Sequence, residues 1–348
     1  MKKTRIALTR RVLLGAAVVA GVDAVATASY LASPDSSSAR RIAVQRWGRP
    51  SHARSQAQVL FGAWQPGGDA GVRRLEAQLG RRLAIVHWYQ GWGVPAPANQ
   101  LDVDRAKAVV ASGATPMITW EPWNYQDGIH QPEFALRRIL AGDYDDYIAR
   151  NARAMASVPG LVWLRFAHDM NVRVFPWSVG NNGSTAAEYV GAWKRVVRIV
   201  REEGATNVRF VWCPNVLTPH STPLETLWPG DDDVDYLGMD GFNWGRTGNP
   251  PGWPSLPSIF GGLYGELRKL SDKPVVIAEV GCADAGGDKA QWIRDAFGHD
   301  LRRHFPGVAA VVWYNEAGQA DWRLTASTST LRAARDVFDR APYIAIGT

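Results

Sequence analysis

The sequence predicts an α/β fold, a single (β/α)8 TIM barrel, on three observations. Short apolar runs recur along it, amphipathic segments lie between them, and the first run leads into no Gly-rich phosphate turn. Strand and helix signals in alternation mean a parallel sheet covered by helices. Eight such units in roughly 300 residues suit a closed barrel better than an open doubly wound sheet. An open sheet would carry G-x-G-x-x-G after its first strand. Here the first run continues Gly62-Ala63-Trp64-Gln65-Pro66-Gly67-Gly68.

The apolar runs fall at 59–63, 83–87, 115–119, 161–166, 208–212, 234–239, 274–278 and 309–313. Helical spacing of apolar residues marks 72–79, 102–112, 144–156, 186–203, 259–270, 289–297 and 331–338. The fourth run matters most. Arg165 interrupts it as one charge in a buried strand, and residues 168–177 then release His168, Asp169, Asn171, Phe175 and Trp177. A parallel barrel builds its active site at the C-terminal ends of its strands in this way. The helix that follows has Ser184 as expected N-cap and Glu188 in its first turns. Val190, Trp193, Val196, Val197 and Val200 form its apolar stripe, and Gly204 closes it.

Composition narrows the function. Hydrophobic content of 46% with 21% charged residues belongs to a globular chain with a large core. Of the net charge of +6, five units sit in residues 1–41, so no basic patch remains to argue for nucleic acid. That segment reads as an export signal. Lys2, Lys3 and Arg5 precede Arg10-Arg11-Val12-Leu13-Leu14 and an Ala- and Val-rich run, the pattern of twin-arginine export. Residues 1–41 are therefore expected to be leader and disordered linker, and 42–348 the barrel. The expected mature protein is secreted, extracellular or held at the cell wall, with no membrane partner, and is a monomer. Cys213 and Cys282 follow non-neighbouring runs and are expected to be free, buried thiols.

The residues at the strand ends should converge. They bring Tyr89 from the second run, Trp120 and Glu121 from the third, and His168, Asp169 and Asn171 from the fourth, with Trp177 beyond. The fifth adds Trp212 and Asn215, the sixth Phe242 and Trp244, the seventh Glu279 and the eighth Trp313. Carboxylates ringed by Trp, Tyr, His and Asn suit glycoside hydrolysis, in which one acid protonates the leaving oxygen and a second attacks or activates water. Glu279 ends an apolar run where an unpaired acid would be costly to bury. A nearby Arg165 would keep it ionised. No H-E-x-x-H, Cys/His cluster, alternating acidic calcium loop or G-x-S-x-G occurs, so neither a metal nor a serine nucleophile is expected.

The segments 166–171 (FAHDMN) with Phe175-Pro176-Trp177, Trp120-Glu121-Pro122-Trp123, residues 204–208 with Trp212-Cys213-Pro214-Asn215, residues 240–244 (DGFNW) and 273–279 resemble glycoside hydrolase family 26. The resemblance implies a retaining (β/α)8 endo-glycosidase of the β-mannanase and β-glucanase kind, without cofactor. Its substrate would be a β-1,4-linked polysaccharide, mannan before β-glucan. By the same resemblance Glu279 matches the nucleophile and Asp169 the acid/base position. Trp177 and Trp313 match sugar contacts and His168 the neighbour of the acid/base; in the hydrolase reading His168 and Asn171 are expected to orient the acid and the sugar. Two positions depart from the family pattern. Asp169 stands where the family has Glu, and Phe242 where it usually has a Tyr beside the nucleophile. One methylene fewer retracts the carboxyl by roughly 1.5 Å, at a site where retention wants about 5–5.5 Å between carboxyls. A weak or silent polysaccharide-binding barrel is therefore the alternative, and a glycan of another linkage remains open.

Overall fold

A computed structural model of the chain describes residues 58–340 and 342–344. The expected leader and linker, 1–41, lie outside the described residues. β1 (Val59–Trp64), β2 (Ile85–Gly91), β3 (Thr115–Glu121), β4 (Val162–Phe166), β5 (Val208–Trp212), β6 (Tyr236–Asn243), β7 (Val275–Cys282) and β8 (Val308–Tyr314) are parallel neighbours in chain order. β1 pairs with both β8 and β2, which closes the ring. A two-residue strand, β9 (Tyr343–Ile344), adds to the start of β1. The predicted (β/α)8 barrel is the fold.

Each apolar run became a strand, and six of the eight strands reach further toward the C-terminal face than their runs, β4 and β5 ending where the runs end. β3 continues to Glu121, β6 to Asn243 and β7 to Cys282, so the polar residues expected beyond the strands lie inside them. Ladder hydrogen bonds thus hold these side chains rigidly, and no loop has to position them. Leu161, read as part of the fourth run, lies outside β4 and is exposed.

Helices cover the ring: α1 (Gly68–Leu79), α2 (Val103–Ala111), α3 (Leu136–Ala141), α4 (Asp145–Ala156), α5 (Ala186–Glu202), α6 (Leu224–Leu227), α7 (Leu256–Leu270), α8 (Lys289–Asp295), α9 (Leu301–His304) and α10 (Thr328–Phe338). The N-cap of α5 is Thr185, not Ser184. Its hydroxyl accepts from Glu188 N at 3.2 Å, and the Glu188 carboxylate accepts from Thr185 N at 2.8 Å. This reciprocal pair places Glu188 at the third helical position, which only Thr185 as cap allows. Gly204 ends the segment at φ 78°. Cys213 and Cys282 are free and buried, as expected.

Two apolar layers meet at the strands. Inside the ring, Ile85, Met117, Trp163, Val211, Tyr236, Val276, Ala278, Ala310 and Val312 fill the floor. Outside, residues of opposite phase such as Val86, Ile118, Leu164, Leu237 and Val311 pack against the helices. Strand alternation explains the division. It also fixes which strand-end residues can reach the mouth. Among the described residues no helix is long and apolar enough to cross a membrane.

Candidate active site

The inward phase of each strand, continued from the floor toward the mouth, delivers the site. On β2 it runs Ile85, His87, Tyr89; on β3, Met117, Thr119, Glu121; on β4, Trp163, Arg165; on β6, Tyr236, Gly238, Asp240. β7 departs from strict alternation. Its register against β6 slips by one residue, Met239 pairing Ile277 while Asp240 pairs Glu279, and its pairing with β8 shifts between Ile277 and Val280. This bulge makes Ala278 and Glu279 both face inward, and Val280 returns to the outer layer. A regular strand would have turned Glu279 into the helices. Bulges re-aim side chains beside active sites in this way.

Arg165, fully buried, organises the charges. Its Nε donates to Thr119 Oγ1 at 2.7 Å. Its Nη1 donates to Asp240 Oδ2 and its Nη2 to Glu279 Oε1. Cys213 Sγ donates to the other Asp240 oxygen at 3.1 Å. Tyr89 donates its hydroxyl to the same Glu279 Oε1 at 2.6 Å. Oε2 of Glu279 has no donor among the described residues.

Asp169 arrives from the loop after β4 by an unusual path. Ala167 (φ 42°) and Asp169 (φ 56°) both lie in the left-handed region, which costs side-chain-bearing residues of order 1 kcal/mol each. The surroundings hold them there. Tyr189 donates to Ala167 O at 3.3 Å, Trp177 Nε1 to His168 O at 2.7 Å, and Asp169 N to Cys213 O at 2.8 Å. Asn215 Nδ2 then donates to Asp169 Oδ2 at 2.8 Å, while Oδ1 is buried without a partner. Asn171 braces Asn215 from both sides, donating to its carbonyl at 2.9 Å and accepting from its N–H at 2.8 Å. Ligand atoms of His168, Asp169 and Asp240 fall within 4.8 Å of one another. Asp169 therefore reaches the Asp240–Arg165–Glu279 cluster despite its short side chain. That trio is also the group that could hold a cation, although Asp240 is already engaged by Arg165 and Asp169 by Asn215.

Four buried acids share one buried guanidinium, so some must be neutral at neutral pH. Burial, reinforced by the charge of Glu279, pushes Asp169 up to about 7. Burial pushes Glu121 up to about 8, against the pull of the Trp123 Nε1–H hydrogen bond on its Oε2 at 3.2 Å. Burial raises Asp240 as well, opposed by Arg165. His168, 4.0 Å from Glu121, is pushed well down by burial and by Arg165 and so is neutral. One carboxyl thus carries a proton near neutrality, facing another that is paired to Arg165.

The aromatic wall differs from expectation. Tyr89, Phe242 and Trp244 are half-buried at the mouth, packed against Trp64, Tyr314 and Trp322. Trp64 stacks on Tyr314 at 4.5 Å, and Trp322 lies 5.3 Å from Phe242 and 5.0 Å from Trp244. Trp120, Trp177, Trp212 and Trp313, all expected to touch sugar, are wholly buried. Trp120, Trp212 and Trp313 sit one residue out of phase with the inward row, so they enter the helix layer. Trp313 meets Trp292 and Phe297 there, and its Nε1 donates to Trp322 O at 2.8 Å. Trp177 stacks on Phe175 at 4.5 Å beneath the loop that carries Asp169. His168 and Asn171 are also buried, and Asn171 braces Asn215 where a sugar contact was expected. Asp240 and Tyr314 stand at expected strand ends, though neither had an assigned role, and Trp322 was not selected from the sequence. An acid at an inward strand position was the available signal for Asp240. Trp322 lies in a loop whose course no periodicity reveals.

Buried acids gathered at an aromatic barrel mouth are the groups that glycoside hydrolysis requires. The family is glycosyl hydrolase family 26, whose model matches residues 113–263. The chain is 35% identical over 287 residues to Endoglucanase H of Acetivibrio thermocellus, covering 80% of this chain and 30% of that protein. It is 29% identical over 125 residues to Beta-1,3-xylanase TXYA of a Vibrio species, covering 34% of this chain and 26% of the relative. The chain thus spans less than a third of the length of these curated relatives. In fold it is similar to the GH26 beta-mannanase BoMan26A from Bacteroides ovatus. The TM-score is 0.63 at 20% identity, over 84% of this chain and 92% of that one.

Proposed function

We propose that the barrel is an exported endo-acting glycoside hydrolase that cleaves a β-1,4-linked polysaccharide with retention of configuration. The observation that carries this reading is the pairing of two unlike acids. Glu279 is held by Arg165 with one oxygen free, and Asp169, pushed up to about 7, is held by Asn215. Unlike surroundings assign the two acids their roles. Oε2 of Glu279 attacks the anomeric carbon as Asp169 protonates the departing glycosidic oxygen. Asp169 then takes a proton from water, which attacks the same carbon and returns Glu279 as carboxylate. Glu121, pushed up to about 8, would offer a sugar hydroxyl a hydrogen bond, and Trp244 and Phe242 offer apolar surface to the rings.

Mannan and β-glucan are the substrates in view. The motifs favour mannan, while the relative at 35% identity is named an endoglucanase, which makes β-glucan the matching first trial. The residues at 1–41 support export, and a single chain supplies every group in the cycle, consistent with a monomer. The alternative, a barrel that holds polysaccharide without cutting it, is disfavoured by Asp169 reaching the cluster. The test is release of reducing sugar from mannan and mixed-linkage β-glucan by wild type and Glu279→Ala. Activity in the wild type alone supports the hydrolase. Equal release by both sinks it, and binding without release by either supports the alternative.

A further inference from the structure

Glu279 has two oxygens, and the structure treats them differently. Oε1 accepts from Arg165 Nη2 and from the Tyr89 hydroxyl, whereas Oε2 has no donor among the described residues. Tyr89 comes from β2, three strands round the closed ring from β7. Its ring is confined: the His87 ring lies 4.6 Å away, Trp64 5.7 Å edge-on, and the Arg165 guanidinium 5.9 Å from its centroid. Phe242, beside β7, has no hydroxyl, and its ring packs among Trp244, Tyr314 and Trp322.

We propose that Tyr89 is a positioning residue for the nucleophile: its hydroxyl fixes Oε1 of Glu279 and so presents Oε2 to the anomeric carbon. The inference rests on the hydrolase reading above. It gives Tyr89 a role other than a sugar platform, because its polar end is already committed to the carboxylate. A hydrogen bond to a charged acceptor is stronger than one between neutral groups and sets direction as well as energy. During the first half of the reaction Oε2 forms the bond to carbon, the glycosidic C–O bond breaks, and the leaving oxygen takes the Asp169 proton. Oε1 becomes the ester carbonyl and keeps both donors. In the second half, water attacks the same carbon, its proton passes to Asp169, and the bonding pair returns to Oε2. Tyr89 exchanges no proton in either half. Burial and the charge of Glu279 hold its phenol well above the usual range, so it stays a donor at working pH.

The experiment compares wild type, Tyr89→Phe, Phe242→Tyr and Glu279→Ala by steady-state kinetics on mixed-linkage β-glucan and on mannan. Tyr89→Phe keeps the ring and removes only the hydroxyl. The expected result is a fall in kcat of about tenfold to a hundredfold with KM within about twofold, the pattern of an interaction that matters in the transition state. Phe242→Tyr should bring no gain, because Oε1 already has its two donors. A Tyr89→Phe enzyme with unchanged kcat, or with only KM raised, overturns the proposal, and so does a large gain from Phe242→Tyr. If Tyr89→Phe does not fold, Phe242→Tyr alone decides by the same criterion. A wild type inert on both polysaccharides overturns the hydrolase reading and this proposal together. An active wild type, an inert Glu279→Ala and a normal Tyr89→Phe overturn the proposal alone.

Discussion

Arg165 shows how much one side chain decides. Among the described residues it is the one positive charge bonded directly to Asp240 and Glu279 at the barrel centre, and it has no exposed surface. Replacing it with Met would leave both carboxylates buried without their shared partner. Breaking a buried pair in this way costs about 3–5 kcal/mol. Arg165→Met should therefore unfold at markedly lower denaturant concentration than wild type, and Asp240→Asn, which keeps a hydrogen-bonding group, should lose less. The pairing of Arg165 with Glu279 was legible in the sequence, because a single charge in each of two apolar runs invites a partner. Which tryptophans face a sugar was not. Trp313 and Tyr314 are adjacent, yet one enters the helix layer and the other the mouth wall. That choice depends on strand phase at the strand's last turn of the pleat. Asp169 carries its own prediction: with its carboxyl pushed up to about 7, the alkaline limb of kcat/KM should fall near that pH. Asp169→Asn should remove the limb along with most of the turnover on polysaccharide.

Between elements, two devices aim the acids, and each lies where local patterns are weakest. The bulge in β7 turns Glu279 inward against the alternation that fills the floor below it. An apolar run such as 274–278 announces a strand but cannot announce one extra residue in its register, since every side chain in it suits a buried face. The second device is the brace between the loop after β4 and the end of β5, in which Asn171 holds Asn215 and Asn215 holds Asp169. Asn171→Ala removes two hydrogen bonds to that backbone, worth about 1–3 kcal/mol where the groups are left buried. The expected variant melts somewhat lower and loses kcat more than affinity, as steady-state kinetics and thermal melts would register. Helix ends were read more closely than strand ends. The cap of α5 lay one residue past the expected Ser184, and Gly204 closed the segment as expected, because caps depend on neighbours within a turn.

At the scale of the molecule, eight alternating units were legible because the strands are buried on both faces and bounded by amphipathic helices. Gathering four acids in that ring has a consequence for stability. Glu121 is held at about 8 in the folded barrel and lies near 4.3 in an unfolded chain. Between those values the folded state binds more protons, so its contribution to stability is complete below the unfolded value and is lost as pH rises through the folded one. Wild type should therefore lose melting temperature relative to Glu121→Gln as pH is raised from 5 to 8, in parallel thermal melts at each pH. A constant difference would mean that Glu121 is ionised in the folded state.

The central claim is that Glu279 and Asp169 divide the work of one retaining cycle across the barrel mouth. Its most direct test is to trap the covalent intermediate with 2-deoxy-2-fluoro glycosides of glucose and mannose that carry a good leaving group. The labelled protein is then digested and the modified peptide sequenced by mass spectrometry. The expected result is one glycosyl adduct on Glu279, formed in wild type and absent from Glu279→Ala. An adduct on Glu121 or Asp240, or turnover of the same compounds with inverted configuration and no adduct, would contradict it.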